Sequence, residues 1–292
     1  MELTNKKTVK ELLAKHGAAA EKKLGQHFIL SKKALAQMIA AAEIKKNDTI
    51  IEVGPGLGTL TQELAKTLPG RQAGGAKIIA IERDSLMLGI LRETLKDFKN
   101  IKIIEGDACK FSILNFQFSN KTKNSNYKII ANLPYNIATF LIHQWLELKK
   151  PPETMILMIQ KEVAQRITAK PPRMNLLAVS VQFYAEAKII DYVPAEAFWP
   201  RPKVDSAIIK IVPKKSPPQK TRDTFFIVAK AGFSQPRKQL IGNLVKKLNI
   251  PKKRLISIFK DLNISERARA ENLSLDQWIS LAISLHLTIQ RK

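Results

Sequence analysis

At 292 residues and 45% hydrophobic content, the chain has room for one large domain and a smaller one, with ample material for a core. Lys and Arg number 49 against 25 acidic residues, and this net charge of +24 points to a polyanion partner, either nucleic acid or an anionic membrane surface. No apolar run approaches the roughly 20 residues that span a bilayer. The charged stretch Met1–Lys15 has no secretory core, a single cysteine rules out an intrachain disulfide, and four scattered histidines lack zinc spacing, so no metal site is expected.

Thr8 to His16 predicts a short helix stopped at Gly17. Lys22 to Leu30 follows, mixing basic, amide, imidazole and apolar groups around Gly25; it suits a segment lying over a ligand, or an arm covering the core. Ser31 can cap a helix running to about Ala42. Thr49–Val53 reads as a strand, Gly54-Pro55-Gly56-Leu57-Gly58 as a glycine turn, and Thr59–Leu68 as a helix. Strand, glycine turn and helix is the context in which backbone closely approaches a nucleotide, although the spacing is GxGxG rather than GxGxxG. Pro69–Ala76 is a glycine-rich loop. The second strand, Lys77–Ile81, ends in Glu82, where a carboxylate can take a ribose diol or stand solvated. Asp84 caps a helix to about Phe98. The third strand, Ile101–Glu105, leads to Asp107, which can accept from an exocyclic amine or cap a helix.

Ser119–Asn126 is polar and reads as an exposed loop. Tyr127–Ala131 is a buried strand that runs into Asn132-Leu133-Pro134-Tyr135, followed by helical spacing from Asn136 to Leu148. An amide, a backbone stiffened by proline and an aromatic ring at a strand's C-terminal end suit a flat amine-bearing ring such as a nucleobase. Thr154–Ile159 is a fifth strand, with a helix through Ile167, then a helix over Leu176–Tyr184 and a strand over Ala187–Val193. Phe198 to Ser206 is held extended by Pro200 and Pro202, and Ala207–Val212 is a strand. Pro213–Thr221 marks a domain boundary. Beyond it, Phe225–His286 is helical, with basic clusters at Arg237-Lys238, Lys246-Lys247 and Lys252-Lys253-Arg254 that either contact phosphates or form solvated faces.

Alternating strands and helices, the glycine turn, and acids ending strands two and three resemble methyltransferases that use S-adenosylmethionine. That cofactor carries adenosine but no phosphates. Four segments sharpen the likeness: Leu24-Gly25-Gln26-His27-Phe28, Glu52-Val53-Gly54-Pro55-Gly56-Leu57-Gly58, Asn132-Leu133-Pro134-Tyr135-Asn136, and Phe198 with Pro202-Lys203-Val204-Asp205-Ser206. In this order they resemble the rRNA adenine N6,N6-dimethyltransferase family, and within it the bacterial small-subunit branch. The likeness runs from about Thr8 to Ile289.

The resemblance implies a Rossmann-like α/β sheet of the class I S-adenosylmethionine-dependent type with a small C-terminal all-helical domain. The expected parts are an arm over residues 1–30, the methyltransferase domain over 31–212, a linker over 213–220 and an RNA-binding helical domain over 221–292. It implies cofactor contacts from His27, Ile29, Gly54, Gly56, Glu82, Asp107 and Asn132. Many relatives carry Asn at the position of His27; both side chains can hydrogen-bond. Asn132 and the Leu133 carbonyl are expected to take the target amine, with the base between Tyr135 and Phe198. The implied reaction is dimethylation of two adjacent adenosines near the 3′ end of 16S rRNA, by a cytoplasmic monomer acting on the immature small subunit with no membrane role. The alternatives are an Erm-type 23S rRNA methyltransferase, whose motif usually has Ile in place of Leu133, a DNA adenine methyltransferase, whose motif usually has Pro there, and a non-catalytic assembly factor.

Overall fold

A computed structural model describes residues 1–20, 26–67, 77–110, 127–215 and 218–290. Lys22–Gly25 of the arm, the expected loops at Pro69–Ala76 and Ser119–Asn126, and Ser216-Pro217 of the linker lie outside the described residues. The chain divides into two compact units, Met1–Ala164 with Lys188–Pro213, and Gln165–Ala187 with Lys214–Lys292.

The first unit opens with α1 (Lys6–Lys15), capped by the Asn5 side chain, and the two-residue strand β1 (Phe28–Ile29). Ser31 accepts the Ala34 amide at 3.2 Å and starts α2 (Lys32–Ala42). Then come β2 (Thr49–Val53), α3 (Thr59–Thr67), β3 (Lys77–Glu82), α4 (Ser85–Thr94), β4 (Ile101–Glu105), β5 (Tyr127–Asn132), α5 (Ala138–Leu146), β6 (Thr154–Gln160) and α6 (Lys161–Ile167). The sheet is completed by β7 (Ala185–Val193) and β9 (Ser206–Pro213), while β8 (Phe198–Trp199) pairs with β1.

The seven strands lie in the order β4-β3-β2-β5-β6-β9-β7. Strands β4 through β6 are parallel neighbours, and β9 runs antiparallel to β6. The Rossmann-like α/β expectation holds. The chain winds outward from β2 to β4, then returns to lay β5 on the other side of β2. That reversal is the switch point at which open α/β sheets bind ligands, beyond the strands' carboxyl ends. The central strands read as near-continuous apolar runs because helices cover both faces. Ile130, Ile156 and Met158 pack with Leu35 and Met38 of α2, and each such buried side chain contributes roughly 1.5–3 kcal/mol.

Lys128 sits inside this apolar run with its side chain only 3% exposed. Its ammonium donates to the Ala42 and Glu43 carbonyls at 3.0 and 2.8 Å and pairs with Asp48 at 2.9 Å. A cation at the C-terminal end of α2 satisfies carbonyls the helix itself leaves open.

The second unit contains α7 (Leu176–Tyr184), α8 (Gln219–Gly232), α9 (Leu240–Leu248), α10 (Lys252–Asp261) and α11 (Leu275–Gln290). Phe183 stacks on Phe225 with ring centroids 4.0 Å apart, and Phe233 stacks on Trp278 at 5.3 Å. Residues 165–187, counted with residues 31–212 in the sequence reading, therefore pack with the C-terminal helices; α7 is apolar enough to be buried in either place. Among the described residues, no helix is long and apolar enough to cross a membrane.

Candidate active site

One cavity lies beyond the carboxyl ends of β2, β3, β4 and β5. Its walls are the glycine turn after β2, the ends of β3 and β4, the segment Asn132–Ile137, and the arm from Gln26 to Ile29. The turn needs glycine for two reasons. Gly54 and Gly56 have φ of +67° and +57°, a region that side chains disfavour, and a Cβ on Gly56 would stand 3.2 Å from the Phe28 ring. The backbone is thereby bared to the cavity.

Glu82 lies against this turn. One carboxylate oxygen accepts the Arg83 and Asp84 amides at 2.8 and 3.0 Å, and the other accepts the Gly56 amide at 3.2 Å. Asp107 lines the cavity and also caps its own turn, accepting the Cys109 amide at 2.9 Å. Both roles left open for it in the sequence are geometrically compatible, since a carboxylate has several lone pairs. Burial and the Asp107 carboxylate push the Cys109 thiol above its ordinary value.

Asn132 is the last residue of β5, and its side-chain amide donates to the His27 carbonyl at 3.2 Å. The Leu133 amide continues the ladder to the Met158 carbonyl at 3.1 Å, and the Ile137 amide closes a turn onto the Pro134 carbonyl at 3.2 Å. This turn holds Tyr135 at the cavity wall. The Tyr135 hydroxyl bonds to Ser206 at 2.8 Å. Burial pushes the Tyr135 phenol above its ordinary value, the bond to Ser206 opposes that rise, and the nearby Asp205 charge adds to it.

His27, Ile29, Gly54, Gly56, Glu82, Asp107, Asn132, Leu133 and Tyr135 thus meet around one space. Phe198 does not join them. It is 3% exposed, pairs with Ile29 across the β1–β8 ladder, and packs in the core beside Met158 and Ile208. The antiparallel register that ties the arm to β8 directs this ring inward.

Three site features escaped sequence reasoning. Gln26 donates to Asp84 at 2.9 Å, fastening the arm to the start of α4. Ser206 anchors Tyr135, although its place beside Asp205 in a quoted motif was the available signal. Glu52 was read only as part of the glycine motif. It lines the cavity yet is 2% exposed, and its Oε2 and the neighbouring Thr61 hydroxyl lack partners at hydrogen-bonding geometry. Burial lifts the Glu52 carboxyl to about 8; Thr61 offsets part of the rise, and the Glu82 charge adds to it.

The donor set defines what can bind. Glu82, Asp84 and Asp107 line an acidic cavity inside a strongly basic protein. Such a wall repels polyphosphates and favours a ligand that offers hydroxyls, an amine and positive charge. The bared glycine backbone fits such a ligand.

A family profile described as ribosomal RNA adenine dimethylase matches residues 17–287. The chain is 41% identical over 279 residues to a protein named ribosomal RNA small subunit methyltransferase A from Dehalococcoides mccartyi, covering 94% of this chain and 91% of that one. It superposes on the crystal structure of a dimethyladenosine transferase from Plasmodium falciparum with a TM-score of 0.72, at 26% identity over 88% of this chain and 96% of the other. It also superposes on the 23S rRNA methyltransferase ErmE with a TM-score of 0.69, at 23% identity over 88% of this chain and 98% of that one, a likeness of fold.

Proposed function

The chain belongs to the ribosomal RNA adenine dimethylase family, and we propose that it transfers methyl groups from S-adenosylmethionine to N6 of two adjacent adenosines near the 3′ end of 16S rRNA during small-subunit biogenesis. The observation that carries this reading is the meeting of two toolkits in one cavity. The glycine turn with Glu82 and Asp107 faces the same space as Asn132-Leu133-Pro134-Tyr135. In this proposal the enzyme works in the cytoplasm as a monomer on the immature subunit, and the net charge of +24 supports a polyanionic partner.

S-adenosylmethionine supplies an electrophilic methyl group on a sulfonium centre. Glu82 would hold the ribose hydroxyls, Asp107 the adenine amine, and the bared backbone at Gly54 and Gly56 the methionine part, with His27 and Ile29 closing the arm over it. Because the Asn132 amide nitrogen is committed to the His27 carbonyl, the Asn132 side-chain oxygen is the end available to accept a target N–H. The Leu133 carbonyl would take the amine's second hydrogen, orienting the nitrogen lone pair. Tyr135, fixed by Ser206, offers a ring for stacking of an extruded base. Phe198 serves as a second wall only by leaving the core that now holds it. Alignment is the main contribution, and well-oriented reactants gain roughly 7–11 kcal/mol.

The small-subunit reading is preferred over a 23S substrate because the small-subunit relative is similar at 41% identity, whereas the likeness to ErmE is one of fold. The test is mass-spectrometric mapping of 16S rRNA from a strain lacking this protein. Two adjacent dimethyladenosines should be missing, restored by the wild-type chain, and not restored by Asn132→Ala although that variant still binds the subunit. Methylation confined to 23S rRNA refutes the proposal.

A further inference from the structure

The C-terminal end of β6 carries a row of contacts from the cavity wall outward across the surface of the first unit. Gln160 pairs with Ser206 across the β6–β9 ladder, and Ser206 holds the Tyr135 hydroxyl at 2.8 Å. One residue on, the Lys161 amide donates to the Asp205 carbonyl at 3.0 Å, and the Lys161 ammonium reaches the Asp205 carboxylate at 3.3 Å. The other Asp205 oxygen accepts the Ala195 amide at 3.2 Å, which draws in the chain just past β7. There the Lys161 ammonium stands over the Tyr192 ring, 5.4 Å from its centroid. The Lys161 side chain is 43% exposed and Tyr192 is 47% exposed. Contacts as open as these add little to stability, so they are not what holds the fold together.

We propose that Lys161 and Tyr192 form a subsite for the RNA next to the target adenosine, with a phosphate on the ammonium and a base on the ring. Drawing the target base into the cavity unstacks its neighbours. An exposed aromatic ring is a platform for any unstacked base, and a cation beside it takes the backbone to which that base is joined. The ammonium has three N–H groups and Asp205 accepts one, which leaves donors for a phosphate oxygen. The exposure of Tyr192 leaves its ring open to a ligand, and the row through Asp205 and Ser206 sets it on the same surface as Tyr135. Lys203, two residues before Asp205, is exposed on that segment and favours a polyanion there. The proposal rests on the reading of Tyr135 as the wall that receives the target base.

The test compares Tyr192→Thr, Tyr192→Trp and Lys161→Gln with wild type on small ribosomal subunits from a strain lacking this protein. It reads subunit Kd by filter binding over a range of salt, kcat and KM for the subunit, S-adenosylmethionine Kd by calorimetry, and thermal unfolding. Tyr192→Thr keeps a strand-forming residue and removes the ring. We expect it to weaken subunit binding about tenfold and to raise KM to match, with cofactor Kd within about twofold. Tyr192→Trp should restore that binding. Lys161→Gln should weaken binding and lower the slope of log Kd against log salt by about one, the loss of one phosphate contact. Wild-type binding by Tyr192→Thr, an unchanged salt slope in Lys161→Gln, or a loss confined to kcat at saturating subunit overturns the proposal. If Tyr192→Thr does not fold, the salt slope of Lys161→Gln decides. Tyr135→Ala is measured alongside. If it transfers normally, the reading of Tyr135 fails and this proposal with it. If it loses transfer while the Tyr192 and Lys161 variants behave as wild type, only the proposal fails.

Discussion

Replacing Glu52 by glutamine is expected to flatten the stability of the protein against pH. The side chain is 2% exposed, and burial raises its carboxyl from 4.5 to about 8. Between those values the folded chain keeps a proton that the unfolded chain has lost. Stability from this group is therefore fully present below 4.5 and is lost as pH rises through about 8. At about 1.4 kcal/mol per unit, the shift corresponds to on the order of 5 kcal/mol, an upper figure because the surroundings relax around a buried charge. Glutamine has nearly the same shape and does not titrate. Urea unfolding of both proteins at about pH 5 and about pH 9 reads the effect, and other titrating groups cancel in the comparison. The variant should match wild type within about 1 kcal/mol at the acid end and exceed it by several at the alkaline end. Parallel profiles for the two proteins would refute the assignment of a neutral Glu52.

Tyr135→Phe keeps the ring and loses only the Ser206 bond, so it should retain most transfer, whereas Tyr135→Ala should lose about 1–3 kcal/mol of base stacking, read as a drop in kcat/KM for RNA; equal losses would refute the stacking role. Lys128→Met leaves the buried Asp48 carboxylate and two helix carbonyls without their cation, and should destabilise by about 3–5 kcal/mol in urea unfolding; a change under about 1 kcal/mol would show that the pair is dispensable. Binding to small-subunit rRNA should weaken by roughly 10³–10⁵ between 50 and 200 mM salt if it makes the usual six to ten phosphate contacts, and a flat filter-binding titration would place recognition elsewhere.

The parallel strands were legible because doubly covered strands leave continuous apolar runs, and the glycine turn because positive φ excludes most side chains. The small β1–β8 ladder was not. Two residues at Phe28–Ile29 and two at Phe198–Trp199 are too few to show a period, and their pairing spans most of the first unit's sequence. The inward direction of Phe198 follows from that register, so a motif that marks the segment could not mark the direction of its ring. Lys128 stands within an apolar strand; its three acceptors come from residues about eighty positions earlier, which no local pattern displays. The allegiance of residues 165–187 was hidden for the opposite reason. A helix apolar on most of its surface is compatible with any core, and only packing chooses one.

Asn132 shows most sharply what geometry adds to a motif. In the sequence it is an amide at a strand end, able to donate or accept in any direction. In the fold its nitrogen is held by the His27 carbonyl, so the two ends of the amide are no longer equivalent. An aspartate there would set an oxygen against the His27 carbonyl, acceptor against acceptor, and would lose the contact that orients it. The amide is suited to the position because one end fixes the direction in which the other accepts. The residue that fixes it belongs to the arm, 105 positions away in sequence. In the proposed reaction the arm thereby takes part in aligning the target amine as well as covering the cavity.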